Sequence, residues 1–213
     1  PGMDLGFYIM WHNETGADLD SVYMTMSLQY MPRNQNPRPV DVLPLYLDVN
    51  LTVGGSNMFD VPPGRTVKAW EFTMPLGGRL LGYGGHLHDY GMLVRLEDVE
   101  TGKVLARVDA KRDKDGKVSG VSRKLPGVGG AGLKLKAGHR YRVVGVYDNL
   151  TSDTLINGAM AHITGIFAPD DFSKWPGVDE ADPEYQKDLA SLEIMGMGDD
   201  EHEHGMHEHG GHE

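Results

Sequence analysis

Val22–Tyr30 reads VYMTMSLQY, a run in which every even-numbered residue is apolar. Successive side chains of a β-strand point to opposite faces, so this alternation predicts a strand with one buried face. Further stretches with strand character are Phe7–His12, Leu45–Val53, Thr66–Met74, Leu80–His88, Met92–Glu97, Val104–Val108, Tyr141–Tyr147 and Ile156–Phe167. Many short strands at this spacing, separated by turns rich in proline and glycine, predict an all-β fold, an antiparallel jelly-roll β-sandwich.

The chain changes character after Phe167. Asp182-Pro183-Glu184 has the residue types that begin a helix, and we expect one short helix over Tyr185–Ile194. Asp199–Glu213 holds five histidines, six acids, three glycines and one methionine, a composition that cannot form a core. We therefore predict a β-sandwich domain over residues 1–170, a linker with the short helix over residues 171–198, and a disordered tail over residues 199–213.

The net charge of −11 is concentrated at the C-terminal end of the 213 residues. From Val178 onward twelve acids accompany the single base Lys187, whereas residues 1–177 hold 19 acids and 19 bases. The globular part therefore has no basic field for nucleic acid, and we expect no nucleic-acid partner. No stretch approaches the roughly 18 consecutive apolar residues of a membrane span, so we expect no membrane span.

The sequence has no cysteine, which excludes disulfides, iron–sulfur clusters, thiolate zinc sites and a cysteine nucleophile. The chain opens Pro1-Gly2-Met3-Asp4, without an initiator methionine or an apolar leader. We therefore expect a processed, excised or truncated chain.

The first candidate site lies in Gly82–Gly91, which reads GYGGHLHDYG. His86 and His88 are two residues apart, so on a strand they share a face at a separation of roughly 7 Å and can reach a common metal ion. The alternative interpretation is a pair of exposed or hydrogen-bonded strand histidines. Asp89 and Tyr90 either orient a ligand or cap the turn.

A second cluster has the same spacing. Met160 and His162 are also two residues apart and flanked by small residues. Two imidazoles and a thioether form a soft, nitrogen-rich set that suits copper, particularly Cu(I), better than magnesium or calcium. The alternative for Met160 is that it fills a gap in the core.

In this order and separation, the two clusters resemble the C-terminal catalytic domain of the copper type II, ascorbate-dependent monooxygenases. Peptidylglycine α-hydroxylating monooxygenase and dopamine β-monooxygenase belong to that family. The resemblance covers residues 5–170 and implies a jelly-roll domain in which His86, His88 and Met160 hold one copper ion that binds oxygen. It also implies an exported protein, extracellular or periplasmic.

The sequence departs from that family in two respects. Family enzymes have a preceding domain with a second, three-histidine copper, but His12 is the only histidine before His86, and the family's disulfides are absent. A chain with one copper would need an external electron donor. His162 is interpreted as a fourth ligand, a hydrogen-bond donor behind the ligands or an ordinary polar residue. His12 and His139 are expected to lie in loops without a ligand role.

The tail is a second candidate for metal binding. Its histidines alternate with acids and glycines, a pattern that predicts flexible capacity for Cu(II), Ni(II) or Zn(II). These residues are His202, His204, His207, His209 and His212. The alternative is an acidic tail that only keeps the protein soluble.

The residues thus support two leading hypotheses of different classes. One is an exported copper-binding protein that acts as a copper-dependent monooxygenase, and the other is a protein that sequesters or delivers copper without catalysis. A third is an adhesive or assembly β-sandwich without a metal.

Overall fold

The structure is a computed structural model, which describes residues 11, 13, 15–28, 32, 34, 36, 40–51, 56–175, 177, 179–187, 189 and 190. Contacts divide the chain into two compact units, Pro1–Pro39 and Val40–Glu213. The domain boundaries expected from the sequence stay a prediction.

The first unit corrects the prediction made from Val22–Tyr30. Residues 22–28 are described, and none of them belongs to a strand. Met24 and Met26 are 47% and 44% exposed, so their face of the alternation is not buried. An alternating pattern stabilises a strand only where another element covers its apolar side, and both sides of residues 22–28 face solvent. The predicted strand Phe7–His12 lies outside the described residues except for Trp11, which is not in a strand.

The second unit consists mainly of antiparallel strands. Their bounds are β1 Leu43–Asp48, β2 Phe59–Val61, β3 Gly64–Thr73, β4 Gly78–Leu87, β5 Gly91–Asp98, β6 Val104–Arg112, β7 Val118–Val121, β8 Leu133–Leu135, β9 Arg140–Asn149, β10 Leu155–Ala159 and β11 Ala161–Pro169. A single 3₁₀ turn follows at Phe172–Lys174.

These strands form two main sheets and a small pair. The four-stranded sheet has the order β1-β11-β4-β8, the five-stranded sheet has the order β3-β9-β5-β6-β7, and β10 pairs with β2. We follow the chain through the two main sheets and leave out β7 and the small pair β2 and β10. Each strand is then followed by a strand of the other sheet, except that β5 is followed by β6 in the same sheet. That path is the jelly-roll topology, so the predicted fold class is confirmed.

One hydrophobic core fills the space between the two sheets. Leu47, Leu87 and Ile163 enter it from the four-stranded sheet, and Val94 and Tyr147 enter it from the five-stranded sheet. Side chains alternate along a strand, so the residues next to Leu47, Leu87 and Ile163 point to the outer face of the four-stranded sheet. Asp48, His86 and His162 therefore lie together on the outer face.

Most of the other predicted strands are confirmed, and Asp113–Gly116 connects β6 to β7 as a hairpin turn. The stretch Ile156–Phe167 is two strands, because the chain breaks at Met160 between β10 and β11. The sequence did not predict β2, β7 and β8, which have three or four residues and are too short to show a periodicity.

The C-terminal region contains the beginning of the predicted helix. Residues 183–187, 189 and 190 are helical, and Asp182 Oδ1 accepts a hydrogen bond from the Glu184 backbone N–H at 2.7 Å. This is the capping arrangement expected for that sequence. The predicted end of the helix at Ile194 and the whole tail lie outside the described residues. None of the described helices has the length and apolar character needed to cross a membrane.

Candidate metal centre

Three histidines meet at one end of the outer face of the four-stranded sheet. His86 on β4 and His162 on β11 are direct partners in the antiparallel register, and His88 follows the end of β4. The ring centres of His86 and His88 are 4.9 Å apart, and those of His86 and His162 are 5.2 Å apart. Two imidazoles that share a tetrahedral ion at about 2 Å have ring centres about 5 Å apart. The spacing of the rings therefore suits a shared ion.

His88 is held by the turn that follows β4. Its carbonyl accepts from the Gly91 backbone N–H at 3.0 Å, and a Cβ on Gly91 would lie 2.8 Å from that oxygen. The His88 Nδ1 lies 3.3 Å from the Gly158 carbonyl oxygen. Because a carbonyl can only accept, the proton of the neutral ring sits on Nδ1. Nε2 of His88 then has a free lone pair, as a metal ligand requires.

Tyr147 joins His88 to Met160. The Tyr147 hydroxyl accepts a hydrogen bond from the His88 backbone N–H at 3.0 Å and donates a short one to the Met160 carbonyl. Tyr147 is fully buried, and burial raises the pKa of its hydroxyl to about 12. Met160 lies just before β11 rather than within it, so Met160 and His162 do not share a strand face as predicted. Met160 is instead connected to His88 through the backbone hydrogen bonds of the Tyr147 hydroxyl.

His162 is part of a polar network that the sequence did not predict. Its Nδ1 lies 3.2 Å from the Tyr46 hydroxyl and 3.6 Å from Asp48 Oδ2. The Tyr46 hydroxyl donates to Asp48 Oδ2 at 2.6 Å, and the Asn57 side chain donates to both of them at 2.8 Å. No part of Asp48 is exposed to solvent. The sequence showed only that the predicted strand Leu45–Val53 contains polar residues. Nothing in the local sequence indicates that their partner is His162.

Burial and charge shift the pKa of three groups in this cluster. Burial would raise the pKa of Asp48, but its contacts with His162, Tyr46, Asn50 and Asn57 outweigh burial and lower it. Desolvation raises the pKa of Tyr46, and the neighbouring carboxylate adds to the increase. Desolvation, followed by the nearby His88 and His162, lowers the pKa of His86, although Asp48 acts in the opposite direction. At neutral pH the cluster thus combines a carboxylate, a phenol and a neutral His86.

The orientation of the rings limits what the cluster can hold as it stands. The His86 and His162 rings are within 20° of parallel, with their centres 5.2 Å apart. In the part of the chain that the structure describes, no three side chains of His, Cys, Asp or Glu are placed to hold a metal ion. Binding one ion would require the His86 ring to rotate, and His86 lies at an exposed position. The donor types predicted from the sequence, imidazole nitrogen and the Met160 thioether, suit copper.

No family model and no curated protein matches this chain. The resemblance to the copper monooxygenases therefore depends on the residues of the two clusters.

An open groove of about 410 Å³ lies beside the histidines on the same face. The residues that line it include Gly82, Gly84, Arg123, Leu125 and Ile166. A Cβ on Gly82 would lie 2.9 Å from Leu125 Cδ2, so the side chain of Leu125 occupies the space that the glycine leaves free. Gly84 and His86 are two residues apart on one strand, so their Cα atoms are about 7 Å apart and the groove adjoins the position of His86.

The remaining candidates have other surroundings. Asp89 Oδ1 accepts from the Val118 backbone N–H at the start of β7 at 2.8 Å, and Tyr90 packs on Gly116 in the hairpin turn before that strand. His139 Nε2 lies 2.8 Å from Asp98 Oδ2, in a turn before β9. His12 and the five tail histidines His202, His204, His207, His209 and His212 lie outside the described residues.

Proposed function

We propose that this protein binds one copper ion at the end of its four-stranded sheet, through His86, His88 and Met160. The observation that carries the proposal is the position of the Tyr147 hydroxyl. It bonds to the backbone of His88 and to the backbone of Met160, and so brings these two distant residues to adjoining places. The ring of His86, 4.9 Å from that of His88, completes the set.

The chemistry of the three side chains supports copper over other metals. Imidazole nitrogen binds both Cu(I) and Cu(II), whereas a thioether favours Cu(I). A histidine must be neutral to bind a metal, and the low pKa of His86 means that no proton has to be displaced from it at neutral pH. Nδ1 of His88 faces the Gly158 carbonyl, which leaves Nε2 for the ion.

In its enzymatic form the proposal is a copper-dependent monooxygenase. Bound copper would supply the redox chemistry with oxygen, and an external donor would supply electrons. The groove beside His86 supports this form, because it offers a place for a small organic molecule next to the metal. Exposed Leu125 and Ile166 would contact the apolar part of such a molecule.

A second candidate function is copper sequestration or delivery without catalysis, outside the cytoplasm. The observation that favours it is the composition of the tail, with five histidines between His202 and His212. Such a segment would bind metal without needing a folded structure of its own, and would pass it to the folded site.

The test uses the full chain in which the five tail histidines are replaced by asparagine, referred to below as the tail variant. It should bind one copper ion per chain, measured by metal analysis after dialysis. Adding His86→Ala or His88→Ala should remove that ion, whereas His139→Gln, which changes a histidine beside Asp98, should retain it. A tail variant that binds no copper would overturn the proposal.

Oxygen uptake separates the two candidate functions. The copper-loaded tail variant is mixed with ascorbate and a panel of small amphipathic molecules. Oxygen consumption coupled to formation of a hydroxylated product supports the enzyme. One bound copper without coupled oxygen consumption supports sequestration or delivery.

A further inference from the structure

His162 has the features of a metal ligand that is oriented by a buried carboxylate. It is the register partner of His86, and its side chain is 14% exposed, whereas Asp48 behind it is not exposed at all. Nδ1 of His162 points towards Tyr46 and Asp48, at 3.2 Å and 3.6 Å. Histidines that bind metals commonly donate their other ring N–H to a carboxylate or a carbonyl.

The positions of the protons in this network determine which nitrogen of His162 is free. An ionised carboxylate only accepts hydrogen bonds, so the Tyr46 hydroxyl donates its single proton to Asp48 at 2.6 Å. The Tyr46 oxygen must therefore accept from its other neighbours, Asn57 at 2.8 Å and His162 Nδ1 at 3.2 Å. Nδ1 of His162 then carries the proton, and its Nε2 carries the lone pair.

The network has little freedom to adopt another arrangement. Asp48 Oδ1 accepts from the Asn50 backbone N–H at 2.8 Å, and Oδ2 accepts from Tyr46 and Asn57. Among the described residues, no buried side-chain nitrogen or oxygen lacks a hydrogen-bond partner. These donors fix the position of the Asp48 carboxylate, which in turn restricts the orientation of the His162 ring beside it.

We infer that His162 is a third imidazole ligand of the copper site, acting through Nε2, and that Asp48 is the positioning residue that fixes its tautomer and orientation. The inference rests on the proposed function, because it names a further ligand of the same site. It departs from the set of two histidines and one methionine that the resemblance implies.

The added ligand has a consequence for the oxidation state of the bound metal. Three imidazole nitrogens, with a carboxylate behind one of them, suit Cu(II), whereas the Met160 thioether suits Cu(I). His162 and Met160 would thus favour different oxidation states of the same ion. Loss of His162, or of its orientation, should weaken Cu(II) binding much more than Cu(I) binding.

The experiment compares four substitutions in the tail variant. His162→Gln removes the ring. Asp48→Asn keeps the shape but removes the carboxylate that takes the Tyr46 proton, and Tyr46→Phe removes the oxygen that accepts from Nδ1. Tyr46 is 46% exposed, so its variant should fold even if Asp48→Asn does not. Glu97→Gln is the matched control, because Glu97 is a buried carboxylate on β5, in the other sheet.

Two readouts are measured, the number of imidazoles coupled to Cu(II) by pulsed electron paramagnetic resonance, and the Kd for each oxidation state. The tail variant should show three coupled imidazoles, and His162→Gln should show two. Asp48→Asn and Tyr46→Phe should raise the Kd for Cu(II) by about 10-fold to 100-fold. The Kd for Cu(I) should change by less than about 3-fold, and Glu97→Gln should change neither.

The outcomes separate this inference from the proposed function. A tail variant with two coupled imidazoles, unchanged by His162→Gln, would overturn the inference and leave the copper site in place. Equal losses of Cu(II) affinity in Asp48→Asn and Glu97→Gln would mean that Asp48 acts only through stability, which also overturns its positioning role. A tail variant that binds no copper would overturn the proposed function itself.

Discussion

His86 and His162 face each other across β4 and β11, with ring centres 5.2 Å apart and planes 20° from parallel. Their closeness is a product of the sheet register, which pairs Gly85 with Ile163 and turns Ile163 into the core. The residues on either side of this pair are thereby directed outward. The cluster of imidazoles thus depends on the correct pairing of two strands.

The close approach of β4 and β11 predicts a sensitive position at Gly85. A Cβ there would lie 2.5 Å from the His162 carbonyl oxygen, so Gly85→Ala must push the two strands apart. We expect a loss of about 1–3 kcal/mol in the free energy of unfolding, measured by urea titration, and weaker copper binding. Gly120→Ala on β7 is the control, because a Cβ on Gly120 meets nothing within 4 Å. A similar effect of both changes would contradict this account.

The Tyr147 hydroxyl predicts a link between stability and the metal site. Tyr147→Phe leaves the His88 N–H and the Met160 carbonyl without their partner, so the free energy of unfolding should fall by about 1–3 kcal/mol and copper affinity should fall with it. Tyr141→Phe is matched, since Tyr141 is also buried and its hydroxyl accepts from Lys136 N–H at 2.9 Å. It should lose stability without losing copper affinity. Unchanged copper affinity in Tyr147→Phe would argue against the link.

His86 and Met160 should affect different oxidation states of copper. Loss of His86 removes one of two adjacent imidazoles, so His86→Ala should abolish tight Cu(II) binding. Met160→Leu removes a soft ligand of similar size and should chiefly weaken Cu(I) binding. Competition with chelators specific for each oxidation state measures both. If Met160→Leu leaves Cu(I) affinity unchanged, Met160 serves only as packing.

Glu97 predicts how stability depends on pH. Burial would raise the pKa of Glu97, but hydrogen bonds and charge from Arg95 and Arg142 lower it below its ordinary value. The folded state therefore binds this proton less readily than the unfolded state. The contribution of Glu97 is thus complete above the ordinary glutamate pKa of about 4.3 and is lost as the pH falls through the lowered pKa of the folded state. At pH 7, Glu97→Gln should cost about 1–3 kcal/mol. The difference between the two proteins should shrink at pH 3, and a constant difference would refute the assignment.

The tail should release metal before the folded site does. Unperturbed histidines have a pKa of about 6.5, so those of the tail should be mostly protonated below about pH 5.5 and lose their metal there. The end of β4 and the turn after it hold His86 and His88 near each other before binding, which reduces the ordering cost and should retain copper to lower pH. Acid titration of copper-loaded full chain should show two losses, and the tail variant should lack the earlier one. A single loss in both proteins would mean that the tail only contributes solubility.

The sequence predicted those features that local periodicity encodes. Thr66–Met74 and Leu80–His88 fall on β3 and β4, whose residues alternate between covered and open faces. The run Val22–Tyr30 has the same alternation, but periodicity does not indicate whether a partner covers the apolar side, and for residues 22–28 none does.

The candidate site shows the same limit. The spacing of His86 and His88 indicated a shared site, because the two residues are only two positions apart at the end of β4. Tyr46 and Asp48 could not be identified, since their contact with His162 spans 116 positions from Tyr46 and depends on how β1 pairs with β11. Asn157 has a φ of 48°, a left-handed conformation near the break at Met160 that apolar periodicity does not reveal.

Tyr147 belongs to β9 in the five-stranded sheet, whereas the residues that its hydroxyl bonds flank β4 and β11 in the four-stranded sheet. One phenol thus spans the interior of the sandwich and connects the two layers at the rim that carries the histidines. Separation of the layers must break both of its hydrogen bonds before the core is exposed to water. An ion that holds His88 and Met160 together would oppose that separation, and its main effect would be kinetic, a slower opening of the sandwich rather than a change in its shape.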